Sequence, residues 1–176
     1  MNKINVSELV SKGTLLKAGD EILLSGTIYT ARDAAHKKLI SMIEQGQDLP
    51  FDIAGAVIYY AGPTPAKNGL AVGSCGPTTS SRMDVFAPTL YNLGLAATIG
   101  KGARNENVVK SIVENKALYL CALGGAGALA SKCIKKCEVI AFDELGCESI
   151  KRMEIQDFPL YVGIDTRGSS IFAEVK

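Results

Sequence analysis

Apolar positions in this chain fall into short runs, separated by glycines, prolines and charges, and the period within the runs alternates between strand-like and helix-like. Glu21–Thr30 is rich in β-branched and apolar residues and predicts the first strand, beginning near Asp20. Arg32-Asp33 then opens a helix whose apolar face is Ala35, Leu39, Met42 and Ile43, with Gly46 as its stop. The run Gly55–Tyr60 is continuously apolar, as expected of a strand covered on both faces. Gly62-Pro63-Thr64-Pro65 ends it in a turn.

Residues 67–76 read as a loop or hairpin. Ser81 is placed to cap the next helix, with Asp84 as the partner of a capping box; Pro88 either kinks or restarts that helix, and Gly94 closes it. Leu95–Ile99 is a short strand, and Asn107–Asn115 is a helix with Val108, Ile112 and Val113 facing inward. Ala117–Leu123 is a buried strand, and Gly124–Gly127 leads into a small-residue helix running through Lys136. Glu138–Phe142 reads as a strand, and Glu144–Lys151 as a short helix. Phe158–Asp165 and Ser170–Val175 read as strands joined by the turn Thr166–Ser169. Strands alternating with helices predict an α/β domain with parallel pairing in the middle and mixed β structure at the ends. With no repeat and no linker, residues 1–176 are expected to form one domain.

Composition narrows the partners. Hydrophobic content is 47%, net charge is +1, and no broad basic stripe is present, which argues against nucleic acid. The longest apolar run is too short for a bilayer, and the N-terminus lacks the apolar core of a signal peptide, so no membrane and a cytoplasmic location are expected. Five cysteines without C-x-x-C spacing read as reduced thiols, and one histidine rules out a several-histidine metal site. Cys133 and Cys137 are four apart on the predicted helix, a poor metal site without further ligands.

Four positions carry candidate chemistry. Arg32 and His36 are four apart and share a helix face. This spacing reads as a surface ion pair and a solvated histidine, with carboxylate capture and proton shuttling as the functional alternative. Thr78-Thr79-Ser80-Ser81-Arg82 reads as turn and cap chemistry, or as an anion site with a guanidinium at hand. Lys101 lies between two glycines at a predicted strand end, where ligands of open α/β sheets gather, though an exposed turn lysine has the same spacing. The Gly124–Gly127 loop matches neither the dinucleotide nor the P-loop spacing.

The segments Arg32-Asp33-Ala34-Ala35-His36, Gly76-Pro77-Thr78-Thr79-Ser80-Ser81-Arg82-Met83-Asp84, Ile99-Gly100-Lys101-Gly102 and Ile164-Asp165-Thr166-Arg167-Gly168 stand in one order. Together they resemble the β subunit of the iron–sulfur hydro-lyases, the class I fumarase and L(+)-tartrate dehydratase family, over nearly the whole chain. The resemblance implies a three-layer β/β/α swivelling domain. It also implies a [4Fe–4S] cluster held by a partner α subunit and none bound by this chain. Arg32, Arg82 and Lys101 would bind a small dicarboxylate or hydroxy acid. Thr78 would carry a proton, activated by an aspartate of the partner, and His36 would have a supporting or acid/base role. The implied reaction is hydration of fumarate to L-malate, with dehydration of L(+)-tartrate or a non-catalytic dicarboxylate-binding scaffold as alternatives, and the implied assembly is a hetero-oligomer. The run Gly100-Lys101-Gly102-Ala103-Arg104 departs from the K-G-N-R form of fused fumarases and leaves the substrate open.

Overall fold

The computed structural model describes residues 2–66, 69–123 and 127–173. It begins with a strand that the sequence pattern does not announce, β1 (Asn2–Asn5), followed by a short helix α1 (Leu9–Lys12) between two 3-10 turns. β1 lies parallel to β2 (Glu21–Thr30), which continues in parallel register to β3 (Val57–Tyr59), β4 (Ala97–Gly100) and β5 (Leu118–Cys121). Between them run α2 (Asp33–Glu44), α3 (Ala87–Asn92) and α4 (Glu106–Glu114), the crossovers that parallel pairing requires. After β5 come α5 (Gly127–Cys133), β6 (Ile134–Ala141) and the long β7 (Ile150–Ile164).

The seven strands of the described residues belong to one mixed sheet of order β1-β2-β3-β4-β5-β7-β6. β7 also pairs antiparallel with β2 along most of its length, so β2, β3, β4, β5 and β7 close a ring. The alternation of side chains along the central strands then explains two cores. Val57, Tyr59, Ala97, Ile99, Leu118 and Leu120 pack with Ile22, Leu24, Ile28 and the inner residues of β7. Ile58, Tyr60, Tyr119 and Cys121 face the other way, against Ala35 and Leu39 of α2, Leu90 and Tyr91 of α3, and Val108 and Ile112 of α4. Both faces of the central strands are buried, which is why they read as unbroken apolar runs.

Several predicted boundaries move. Pro88 restarts a helix: α3 begins at Ala87, so the proline occupies the first turn, where its missing N–H costs nothing. Ser81 caps nothing; it lies inside a 3-10 turn, Ser80–Met83. Val113 is not inward but 39% exposed. The helix expected to reach Lys136 stops at Cys133, and β6 begins at once, so Cys133 and Cys137 do not share a helix. Asp143–Glu148 is a 3-10 segment that ends before Lys151, which is a strand residue. The last expected strand is reduced to one bridge, Ile164 with Ser170, followed by a turn. The turn Thr166–Ser169 is present, closed by bonds between Asp165 and both Gly168 and Ser169. Gly124, Gly125 and Ala126 of the glycine-rich loop, and the end of the expected last strand, lie outside the described residues. No helix among the described residues is long and apolar enough to cross a membrane.

Candidate active site

The carboxyl ends of β2, β3 and β4 are level, because Thr30 is in register with Tyr59 and Tyr59 with Ile99. Each end is followed by a residue singled out above. Arg32 comes two positions after β2, and Lys101 directly after β4. Thr78 is hooked to the end of β3, its N–H donating to the carbonyl of Tyr60 at 2.7 Å. Thr79 then forms a parallel bridge with Lys101. Ser80 N–H donates to the Lys101 carbonyl at 2.9 Å, and Ser80 Oγ accepts from Lys101 N–H at 3.0 Å. The segment 78–80 therefore behaves as a short added strand beside the end of β4. The Lys101 side chain is exposed and forms no ion pair among the described residues, and the Thr78 hydroxyl bonds to no described group.

The two arginines each meet a carboxylate. Arg82 Nη2 donates to Asp33 Oδ2 at 2.8 Å, which brings Arg82 to the first turn of α2 beside Arg32. Burial would raise the Asp33 pKa, but its own backbone N–H, the Arg82 bond and the charges of Arg82 and Arg32 outweigh burial and hold it below the usual carboxylate value. Arg32 Nε lies 3.4 Å from Glu148 Oε1. The rim thus carries three cations against two carboxylates, an arrangement suited to a small anion.

Beneath the rim lies a buried polar layer. His36 is fully buried, its ring between Tyr60 and Phe86, and its Nδ1 donates to the Arg32 carbonyl at 2.8 Å. Burial above all, with the Arg104 charge adding to it and the Arg32 bond and Asp33 charge opposing, pushes its pKa down to about 4. His36 is therefore a neutral imidazole at pH 7, supporting the carbonyl of the residue that carries the Arg32 guanidinium.

Arg104 and Asp84 are the functional-looking residues that the sequence does not reveal. The Arg104 side chain is wholly buried; its Nε donates to Asp84 Oδ1 at 2.5 Å and its Nη1 to Thr98 Oγ1 at 3.1 Å. Its guanidinium carbon lies 4.9 Å from the Tyr119 ring centre and 5.3 Å from that of Tyr60. Asp84 Oδ2 also accepts from Asn105 N–H at 2.7 Å. The pair joins the end of the Thr78–Asp84 segment to the segment after β4. The one available signal was that both residues end the two motifs, R-M-D and G-K-G-A-R.

The thiols are dispersed. Burial pushes Cys75 up to about 12 and Cys121 to about 11. No group of three or more histidine, cysteine or acidic residues gathers among the described residues.

Residues 1–175 match the Fumarase C-terminus family. The chain belongs to this family. Among members, the protein of Methanocaldococcus jannaschii provisionally named L(+)-tartrate dehydratase subunit beta is 40% identical over 166 residues, 91% of this chain and 85% of that protein. The anaerobic class I fumarate hydratase of Escherichia coli is 36% identical over 172 residues, 97% of this chain but 31% of that enzyme. Fumarate hydratase 2 of Leishmania major is 36% identical over 158 residues, 89% of this chain and 28% of that enzyme. The chain thus spans most of the first relative and under a third of either fumarate hydratase. The family read from the G-P-T-T-S-S-R-M-D segment is the family found.

Proposed function

We propose that this chain is the β subunit of an iron–sulfur-dependent hydro-lyase that reversibly hydrates fumarate to L-malate. The observation that carries the proposal is the level rim where Arg32, Thr78 and Lys101 follow three adjacent parallel strands and Arg82 joins them through Asp33. In this reading Arg32, Arg82 and Lys101 bind the two carboxylates of the substrate. They also offset the negative charge that develops as the C–H bond breaks. The Thr78 hydroxyl passes the proton between the substrate carbon and a carboxylate of the partner subunit. A threonine alkoxide is inaccessible at neutral pH, so the hydroxyl needs that partner. His36, neutral and buried, has a supporting role: it holds the Arg32 backbone.

The residues of this chain do not fit a [4Fe–4S] cluster, since no three thiols converge among the described residues and the two most buried thiols are held protonated. The cluster is therefore assigned to the partner α subunit, and no step is derived through it. In this account residues 1–176 form one swivelling domain of β/β/α layers, in line with cores on both faces of the central strands. It works in the cytosol as part of a hetero-oligomer with its rim closed by the partner.

A second reading, the β subunit of an L(+)-tartrate dehydratase, is favoured by one observation. The relative of that name is covered over 85% of its length, so it is of about the same extent as this chain. The substrates differ by hydroxyl groups, which a few contacts distinguish. Anaerobic co-expression with a cluster-bearing α subunit, followed by assays on fumarate, L-malate and both tartrate enantiomers, tests the proposal. Turnover of fumarate and malate supports it, turnover of L(+)-tartrate alone replaces it with the second reading, and turnover of none overturns both.

A further inference from the structure

Residues 146–149, the end of the 3-10 segment and the one residue that joins it to β7, form a turn that is fastened more heavily than a surface connection needs. Lys151, 8% exposed, sends its ammonium into it. The Nζ donates to the carbonyls of Gly146 and Cys147, both at 3.2 Å, to that of Ser149 at 3.3 Å and to Ser149 Oγ at 2.7 Å. Thr30, the last residue of β2, adds to this: its Oγ1 donates to the Ser149 carbonyl at 3.4 Å and accepts from Lys151 N–H at 3.1 Å. A buried ammonium is costly, and here it is spent on fixing backbone carbonyls.

The fastened turn bears on Arg32. A Cβ on Gly62 would lie 3.1 Å from Arg32 Nη1 and 3.2 Å from both Arg32 Cδ and the Cys147 carbonyl, so arginine and turn crowd the same glycine and a side chain there would press on both. Glu148 Oε1 then stands 3.4 Å from Arg32 Nε, an N–H that is buried and makes no hydrogen bond. Both side chains keep about a quarter of their exposure, 26% and 27%, so the pair sits at the surface of the rim.

We propose that Glu148 is a positioning residue, which flanks Nε of Arg32 and so presents its remaining N–H groups to a substrate carboxylate, with Lys151 setting Glu148 by stapling the turn. This rests on the assignment of Arg32 as a ligand of the diacid. Glu148 touches the arginine and not the substrate, so its loss weakens binding and leaves the proton transfer at Thr78 in place.

The test is a double-mutant cycle in the reconstituted α/β enzyme with fumarate. Glu148→Ala is expected to raise KM about tenfold while kcat changes less than about threefold, and to add nothing to Arg32→Ala. An unchanged KM, or a penalty that adds in full to that of Arg32→Ala, overturns the proposal. If Arg32→Ala itself leaves the kinetics unchanged, the diacid assignment fails, an outcome distinct from failure of the Glu148 role alone. A second measurement needs no activity: the Nε–H resonance of Arg32 in the full chain, assigned by its loss in Arg32→Ala. Glu148→Gln is expected to shift it or speed its exchange with water, whereas Glu148→Asp is expected to keep it near its original position. An unmoved signal in Glu148→Gln overturns the proposal.

Discussion

Arg82 Nη2 donates to Asp33 Oδ2 at 2.8 Å across 49 residues of sequence, and this bond joins the R-D-x-x-H and T-T-S-S-R-M-D segments. It uses one of the five guanidinium donors, which leaves the others for a substrate carboxylate. Arg82→Ala in the assembled enzyme is expected to lower kcat/KM more than about tenfold, since a hydrogen bond to a charged group is worth roughly 1.5–3 kcal/mol. Steady-state kinetics on fumarate check this. Unchanged kinetics would remove Arg82 from the site.

Asp84 and Arg104 are buried as a pair, with side chains 5% and 0% exposed. Asp84→Ala would strand the guanidinium and leave Asn105 N–H without its acceptor. A destabilisation of about 3–5 kcal/mol is expected, because removing one partner leaves an uncompensated buried charge. Urea unfolding of the chain measures it. A loss below about 1 kcal/mol would mean that water reaches the pair.

Gly100 ends β4 where Ser80 Oγ and Tyr60 crowd its α-carbon; a Cβ there would collide with the serine hydroxyl. Gly100→Ala is therefore expected to push Ser80 off Lys101 N–H and to cost about 1–3 kcal/mol, the usual range for overpacking. The variant should also lose activity with Lys101 chemically intact, because the segment that carries Thr78 is displaced with Ser80. Thermal unfolding and kinetics of the same sample check both effects.

His36 makes stability depend on pH. Its pKa is about 4 when folded, against an ordinary 6.5. Between those values the unfolded chain binds a proton that the folded chain refuses, so stability is full above about 6.5 and falls as pH drops toward 4. At about 1.4 kcal/mol per pH unit the total loss is about 3 kcal/mol. In His36→Phe this contribution vanishes, so the stability difference between wild type and variant should change by about that amount between pH 7 and pH 4.5. Denaturant unfolding at a series of pH values reads it, and parallel curves would contradict it.

What the sequence made legible follows from physical scale. The central strands are buried on both faces, so their apolar runs stood out, and Arg32, Thr78, Arg82 and Lys101 fell on the turns after them. β1 was hidden because Asn2–Asn5 has one buried residue, Ile4, and gains its strand geometry only by pairing with β2. The second half of β6 was legible as the strand Glu138–Phe142, but its first residues, 134–136, were read as a helix end because β6 has little burial and lacks alternation there. Only the second half of β7 was legible, as Phe158–Asp165; its first half was read in part as the end of a helix, and the strand runs on through Asp157, whose φ is positive and whose N–H donates to Ser25 Oγ. A buried arginine has the same letter as an exposed one, so the burial of Arg104, like that of His36, shows only in the folded chain.

The most direct measurement is a titration of the purified chain into a cluster-loaded α subunit under anaerobic conditions, following hydration of fumarate. No turnover is expected from the chain alone, and the rate should rise with added chain to a plateau. The plateau should be largely lost when Thr78 is replaced by alanine. Turnover by the isolated chain, or a plateau indifferent to Thr78, would contradict it.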